Sequence, residues 1–272
     1  MDANTISRGT RTGIALQDLL DSIRRPEVWF VLGVEDFRQP YERSVAGILW
    51  AMLQPAAWVA AIGTFFAPLL ADDPADYVVH IAVGIVVYNF LTASLTASGN
   101  VFVVQRNLIR NFPLPLLVHI LRAMMRCVCR FGMQALLIIV VFAVLMRPPG
   151  PWSLLVIPAT ALVIVAGVAA SLLVSIITAR FGDMQHAVAS LMSLLFFATP
   201  IIWFIPESGA QRTLALLNPM THFIEIIRGP LAGTAPDPLS WAVAISCTLL
   251  ALVIGFVLFA LFRNQILLWT HQ

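Results

Sequence analysis

Residues 154–179 read LLVIPATALVIVAGVAASLLVSIITA, a continuous apolar run without a single charged side chain. A helix needs about 20 predominantly apolar residues to cross the hydrocarbon core of a bilayer, so this run is long enough to span it. Of the 272 residues in the chain, 60% are hydrophobic, whereas apolar residues make up about half of a soluble domain. The run and its setting therefore predict an integral membrane protein.

Comparable runs occur along the rest of the chain, separated by turn-forming Pro, Gly and Asp residues. A transmembrane β-barrel would show short segments of alternating hydrophobicity, and these runs are continuous instead. We therefore expect an all-α fold, a polytopic membrane protein with six transmembrane helices. The predicted spans are residues 46–70, 78–98, 116–146, 154–179, 187–205 and 240–262.

The basic residues predict the orientation of these spans. All 16 basic residues are arginines, and the formal net charge of +2 gives no indication of nucleic-acid binding. With the N-terminus in the cytoplasm, only Arg147, Arg212 and Arg228 fall on the outer side. Because positive residues concentrate in cytoplasmic loops, both termini are expected in the cytoplasm. Residues 1–25 are polar and carry no signal-peptide pattern, so we expect a cytoplasmic N-terminal segment before a membrane domain at 26–272.

The sequence offers no catalytic machinery. A Walker-type phosphate-binding loop requires a lysine, and the chain contains none, so any ATP hydrolysis must belong to another polypeptide. Ser-His-Asp and H-E-x-x-H arrangements are also absent, and the pair His222 and Glu225 is too small to form a metal site. We expect a chain that is not an enzyme and binds no metal or cofactor. The alternative from another class is a membrane-embedded glycosyl- or acyltransferase.

Two polar interruptions lie on the predicted cytoplasmic side. Residues 26–38 are too short to span but suit an amphipathic helix in the membrane interface, either as a surface anchor or as a lever moved by a partner. The loop at 99–115 is long enough for a short helix closed by Pro113 and Pro115. Such a helix can dock into a groove on a soluble partner, and the alternative is a solvated, positively charged loop.

A stripe of arginines opens the third predicted span. Arg122, Arg126 and Arg130 recur at every fourth position and therefore share one helix face. An arginine at membrane depth is costly and usually has a function. We hypothesise that the stripe binds an anionic substrate headgroup, and snorkelling to lipid phosphates is the alternative.

The turn from Arg180 to Asp183 is expected to hold a local salt bridge.

The outer segment after the fifth span is amphipathic but too polar to cross the membrane. Backbone of this kind is tolerated at membrane depth only where protein or a water-filled cavity covers it. We therefore expect a re-entrant pair of short helices in the stretches at 199–207 and 217–231.

Several stretches, in this order, resemble permeases that export lipid-linked polysaccharides, the Wzm-like branch of the type-2 ABC exporters. The resemblance extends over about residues 28–270. It rests on YERSVAGILWAMLQP at 41–55, the stretch at 77–89, NLIR at 107–110, PLPLLVH at 113–119, RFGD at 180–183, TPIIW at 199–203, Asn218-Pro219 and RGPLAG at 228–233.

The resemblance implies a homodimer in the bacterial inner (plasma) membrane, driven by two copies of an ABC ATPase subunit that binds ATP and Mg. The substrate would be an O-antigen, teichoic-acid or capsule-like glycan, usually on undecaprenyl diphosphate; a type-2 permease for a drug or another lipid is the alternative. Trp29–Arg38 would be an interface helix, Val101–Asn111 a coupling helix and Glu207–Ala232 periplasmic gate helices. The implied coupling residues are Gln105, Arg106, Asn107, Leu108 and Arg110, and the implied gate residues are Glu207, Asn218, Pro219, Glu225 and Arg228.

A glycan channel needs aromatic platforms for sugar rings. The candidates are Trp50, Trp58, Phe65, Phe196, Phe197 and Trp203. Aromatic residues also concentrate at membrane interfaces, so this pattern distinguishes only weakly between a glycan channel and an ordinary membrane interface.

Overall fold

The computed structural model describes residues 8–99, 101–105, 108, 114–148 and 150–269, and in this part of the chain every regular element is a helix. Short 3-10 turns lie at Gln39–Tyr41, Gly47–Leu49 and Ser153–Leu155. The α-helices are α1 (Arg8–Ile23), α2 (Pro26–Arg38), α3 (Trp50–Leu70), α4 (Pro74–Ser98), α5 (Val101–Val104), α6 (Leu116–Val144), α7 (Val156–Arg180), α8 (Met184–Ala198), α9 (Ala210–Leu217), α10 (Pro219–Ala232) and α11 (Pro238–Trp269).

Five helical segments are long and apolar enough to cross a membrane, which confirms the all-α, polytopic fold. They are Gly47–Leu70, Pro74–Ser98, Leu116–Val144, Ser153–Arg180 and Pro238–Ile266. The span predicted at 187–205 corresponds to α8, which has 15 residues and ends at Ala198. At 1.5 Å per residue, α8 is about 22 Å long, shorter than the ~30 Å hydrocarbon core. Six transmembrane helices therefore stay a prediction.

Contacts at the helix ends give the directions of the helices. α1 lies across the start of α6 and the last turns of α11. The Arg180 guanidinium at the end of α7 lies 5.2 Å from the Trp269 ring at the end of α11. We call this end of the bundle the α1 end and the opposite end the far end. Since α7 and α11 both run towards the α1 end, α8 and the segment after it return the chain to the far end.

α4 is the central helix of the bundle. In its most apolar window 72% of the residues are buried, against 22–44% in the other four long helices. Gly167 of α7 permits close packing against α4 and α6: a Cβ there would lie 3.0 Å from Ser94 Oγ and 3.1 Å from Met124 Cε. The Ser171 hydroxyl of α7 also donates to the Ser94 carbonyl at 2.9 Å. α4, α6 and α7 therefore form the rigid core around which the other helices are placed.

The prediction of a salt bridge in the turn after α7 is wrong. No salt bridge joins Arg180 to Asp183 in the described residues. The Arg180 guanidinium lies instead over the rings of Phe181 and Trp269, at 5.9 and 5.2 Å from their centroids. A cation over an aromatic face is attracted by the ring quadrupole, so the arginine attaches the end of α7 to the end of α11.

Candidate functional site

The predicted arginine stripe lies where α2 packs against α6. Gly33 makes the close approach possible, because a Cβ at this position would lie 2.5 Å from Met125 Cβ and 2.8 Å from the Arg122 carbonyl oxygen. One turn further along α2, Asp36 accepts hydrogen bonds from Arg122 Nε at 2.6 Å and from Nη2 at 2.7 Å. This two-point ion pair fixes α2 on α6, since the planar guanidinium matches the carboxylate geometry.

The other two arginines of the stripe have no such partner. In the part of the chain that the structure describes, neither Arg126 nor Arg130 has a hydrogen bond or ion pair to another residue. Arg126 is half-buried and Arg130 is exposed. At 1.5 Å per residue, Arg130 lies about 12 Å beyond Arg122 along α6. The stripe therefore divides into one structural arginine and two unpaired ones.

The unpaired arginines line a groove between α2, α4 and α6. One part of it, about 320 Å³, is lined by Asp36, Thr96, Arg126 and Arg130 among others. A second part, about 480 Å³, shares Arg126 and Thr96 and reaches Gln185 at the start of α8. Guanidinium groups bind phosphate oxygens in a bidentate way, so this groove can accept an anion. The sequence offered no signal for Asp36 as a wall residue, because it lies far from the stripe along the chain.

The predicted coupling segment is described only in part. α5 covers Val101–Val104, and Val101 and Phe102 are buried against the bundle. The Gln105 side-chain oxygen lies 2.5 Å from Nδ1 of His119, a fully buried residue in the first turns of α6. Leu108 is half-buried. Arg106, Asn107 and Arg110 lie outside the described residues, so their coupling role stays a prediction.

The predicted gate residues of α10 are mostly buried at the far end. Pro219 begins α10, and the Asn218 side chain caps it by accepting from the Met220 N–H at 3.0 Å. The Asn218 amide also donates to Thr199 Oγ1 at 2.8 Å, which joins α10 to the end of α8. The sequence analysis missed Thr199 as a partner, although the Thr-Pro pair at 199–200 predicts a helix end.

Arg228 and Glu225 form an ion pair of 2.6 Å on α10. Arg228 Nη2 donates to the Pro200 carbonyl at 3.0 Å, and a Cβ at Gly84 of α4 would lie 2.6 Å from the same nitrogen. Arg228 is thus inserted between α4 and the turn after α8. Glu207, by contrast, is exposed. The structure therefore places Asn218 and Arg228 in a packed contact between α4, α8 and α10, and leaves Glu207 outside it.

A polar network attaches α10 to the start of α11. The His222 ring lies 3.0 Å from Ser240 Oγ and 2.9 Å from the Leu216 carbonyl oxygen. Ser240 donates from both its hydroxyl and its N–H to Asp237 Oδ2. Burial tends to raise the pKa of Asp237, but the hydrogen bonds from Ser240 and Leu239 and the nearby His222 lower it overall. The network lines part of an open cavity of about 160 Å³ between α10 and α11.

A second ion pair stabilises the far end. Arg147, just after α6, is hydrogen-bonded to Asp73, the residue that caps α4. The hydrogen bond from the Ala75 N–H and the charge of Arg147 lower the pKa of Asp73. The Gly150 N–H also donates to the Leu231 carbonyl at 3.3 Å, which places the end of α10 beside the α6–α7 connection. The beginning of α4 and the ends of α6 and α10 thus meet at one place.

The predicted channel aromatics divide between exposed and packed positions. Trp50, Trp58 and Phe65 are exposed on α3, and Phe197 is exposed on α8. Phe196 packs on Tyr88 and on Phe197, each with ring centroids 5.5 Å apart. The Trp203 indole N–H donates to the Phe197 carbonyl at 3.1 Å. The exposed members are free to face lipid, a second copy or a channel, so their role stays a prediction.

Comparison with known proteins agrees with this architecture. The family described as ABC-2 type transporter matches residues 27–231, most of the chain. The O-antigen export system permease protein RfbA of Myxococcus xanthus is 23% identical over 193 residues. That region covers 70% of this chain and 74% of the relative. The family match begins in α2, includes the arginine groove and ends within α10.

Proposed function

Because the chain belongs to the ABC-2 type transporter family, we propose that it forms the membrane channel of an exporter for a lipid-linked polysaccharide. Membership of the family makes it the membrane subunit of an ABC transporter, a multi-pass transport protein that works with an ABC ATPase. The likeness to an O-antigen export permease supports a polysaccharide as the substrate. The substrate class is an O-antigen-like glycan on undecaprenyl diphosphate, with teichoic-acid and capsule-like glycans as related cases.

One observation carries this proposal: two arginines that have no hydrogen-bond or ion-pair partner among the described residues line a groove beside α2, which is already held to α6 by the Asp36–Arg122 ion pair. Arg126 and Arg130 present their charge to the groove, while Arg122 is neutralised by Asp36. A lipid diphosphate brings concentrated negative charge on a mobile carrier, and it would satisfy both guanidinium groups. We assign the groove to the carrier headgroup and reassign Arg122 to holding α2 in place.

The orientation of the molecule follows from this assignment. The carrier is loaded with glycan on the cytoplasmic side, so the α1 end faces the cytoplasm and the far end faces outward. Both termini are then cytoplasmic, and the membrane is the bacterial inner (plasma) membrane. The positive-inside distribution of arginines supports the same orientation.

The functional unit is a homodimer with two ATPase subunits, which bind ATP and Mg. α8 supports a second copy, because Met192 is the one fully buried residue of this apolar helix and the rest of its surface is left for a partner to cover. The exposed aromatic residues of α3 and α8 would then face either the second copy or the channel between the copies.

The groove assignment is tested by comparing Arg126→Ala and Arg130→Ala with the wild-type chain in cells that depend on it for export. Each variant should reduce surface glycan and increase lipid-linked glycan inside the cell. Arg126→Lys should restore export only in part, because lysine keeps the charge and loses the bidentate geometry. If both alanine variants fold, dimerise and export normally, the two arginines are lipid-facing and the groove binds no headgroup.

A further inference from the structure

The N-terminal helix α1 carries a fully buried acidic side chain. The side chain of Asp18 has a relative exposure of 0%. An ionised carboxylate is almost never fully buried without partners, because removing its charge from water is costly. The sequence analysis assigned no role to residues 1–25.

Asp18 has partners on two other helices. Its carboxylate accepts from the backbone N–H groups of Leu116 and Leu117, at 3.4 and 3.3 Å, in the first turn of α6. It also accepts from Arg263 near the end of α11, with Nε at 2.8 Å and Nη2 at 2.7 Å. The free N–H groups and the dipole of a helix N-terminus favour a negative charge there. A single carboxylate therefore joins α1, α6 and α11.

We call the contact of Asp18 with Leu116, Leu117 and Arg263 the α1 junction. This junction lies next to the coupling segment. Leu116 directly follows Pro115, where the segment at 101–113 returns to the bundle. At the N-terminal side of the segment, the Gln105 side chain contacts His119, which lies one turn further into α6. α1 is also connected to α2, because the Trp29 indole N–H donates to the Ser22 carbonyl at 3.1 Å. Both sides of the coupling segment are thus attached to the first turns of α6, and Asp18 of α1 holds the first of these turns.

We propose that Asp18 is a positioning residue for energy coupling, which makes α1 part of the coupling apparatus. Movement of the coupling segment reaches α6 and α11 together, because the shared carboxylate prevents them from separating. This inference rests on the proposed role of the segment at 101–111 as the contact with the ATPase. A buried carboxylate with all its donors in place has one low-energy arrangement, so the junction transmits displacement rather than absorbing it.

The test uses Asp18→Asn in the complete complex of the permease and its ATPase, reconstituted in proteoliposomes. Asparagine has nearly the same shape and keeps an acceptor for a backbone N–H, but it loses the charge that holds Arg263. The matched control is Asp21→Asn, at an exposed carboxyl on the same helix that has no hydrogen bond or ion pair within the described residues. The readouts are glycan exported per ATP hydrolysed, the ATPase rate, and the yield and thermal midpoint of the complex.

We expect Asp18→Asn to lower the export per ATP by about threefold or more, with the ATPase rate and the yield of complex at the wild-type level. Asp21→Asn should leave all readouts unchanged. A wild-type ratio of export to hydrolysis in Asp18→Asn overturns the proposal. A merely structural role would lower the yield and the thermal midpoint and leave the ratio in the surviving complex unchanged, which overturns it as well.

If Asp18→Asn does not give a folded complex, the ratio of glycan exported to ATP hydrolysed is measured for Arg263→Gln instead. This variant keeps both backbone hydrogen bonds of Asp18 and removes only the link to α11. A lowered ratio supports the proposal, and a wild-type ratio overturns it. A Gly-Gly replacement of Asn107-Leu108 in parallel separates the two hypotheses. If that replacement uncouples export and the Asp18 and Arg263 variants do not, the coupling segment stands and only the α1 junction fails.

Discussion

Asp36 on α2 and Arg122 on α6 hold each other through two hydrogen bonds of 2.6 and 2.7 Å. The two residues are far apart in sequence, and their side chains retain only 23% and 20% of their exposure. The pair therefore ties the amphipathic α2 to a long apolar helix. It also neutralises one positive charge of the stripe, so that Arg126 and Arg130 are the groove arginines without an ion pair in the part of the chain that the structure describes.

The first prediction concerns this pair. Arg122→Ala should destabilise the folded chain by about 1–3 kcal/mol, because the half-buried carboxylate of Asp36 loses a charge-assisted partner. Thermal unfolding of the purified protein measures the effect. Arg38→Ala is the matched control, at an exposed arginine on α2 without a side-chain hydrogen bond or ion pair in the described residues, and it should unfold like the wild type. Equal stability of Arg122→Ala and Arg38→Ala would remove the structural role of the pair.

The second prediction concerns the contact of α2 with α6 at Gly33. Gly33→Val should cost about 1–3 kcal/mol or more, because its Cβ overlaps Met125 and the Arg122 carbonyl and the helices must move apart. Gly132→Ala is the control, since a Cβ at that position in α6 meets nothing within 4 Å. It should be neutral or stabilising, because alanine favours a helix over glycine. A Gly33→Val protein as stable as Gly132→Ala would show that α2 is not packed as closely as the structure has it.

The third prediction is a pH dependence at the far end. The folded pKa of Asp237 is lowered from 3.8, so its contribution to stability is complete above the unfolded pKa and is lost as the pH falls through the folded pKa. Asp237→Asn should therefore lower the thermal midpoint at neutral pH, and the difference from wild type should shrink below pH 3.8. Asp72→Asn, at an exposed carboxyl without described partners, should show no such dependence. A difference that persists unchanged at low pH would rule out the charge of Asp237 as its cause.

The fourth prediction concerns the coupling segment. Arg106→Glu, or Gly-Gly in place of Asn107-Leu108, should abolish most export while the permease still folds, because the segment must fit a cleft of the ATPase. Export in cells and the yield of co-purified ATPase are measured together. Normal export at full ATPase yield would exclude the segment from coupling.

The long apolar helices could be predicted from the sequence because their signal is local and repeated over many residues. The end of α8 was predicted too late, although the Thr199-Pro200 pair favours a helix end there, because Ile201, Ile202, Trp203 and Phe204 continue the apolar composition beyond it. The arginine stripe was visible as a spacing, but the spacing does not reveal that Asp36 neutralises Arg122. Contacts between residues so distant in sequence depend on how the helices pack, which no local pattern specifies.

Among the gate residues, too, local signals could be predicted and long-range contacts could not. The pair Asn218-Pro219 predicts a helix start from local sequence alone, and α10 begins there. The burial of Arg228 against the Pro200 carbonyl and Gly84 could not be predicted, because it requires three separate elements to converge. An arginine in an amphipathic outer segment is equally compatible with an exposed gate and with a packed contact.

The central claim is that this chain conducts a lipid-linked polysaccharide across the membrane when its ATPase hydrolyses ATP. The most direct measurement is the movement of undecaprenyl-diphosphate-linked glycan across proteoliposomes that contain the purified permease and ATPase, detected by a glycan-modifying enzyme on one side only. The account predicts ATP-dependent movement that falls when Arg126 and Arg130 are both replaced by alanine. ATP hydrolysis by a folded wild-type complex without any movement of the lipid-linked glycan would contradict it.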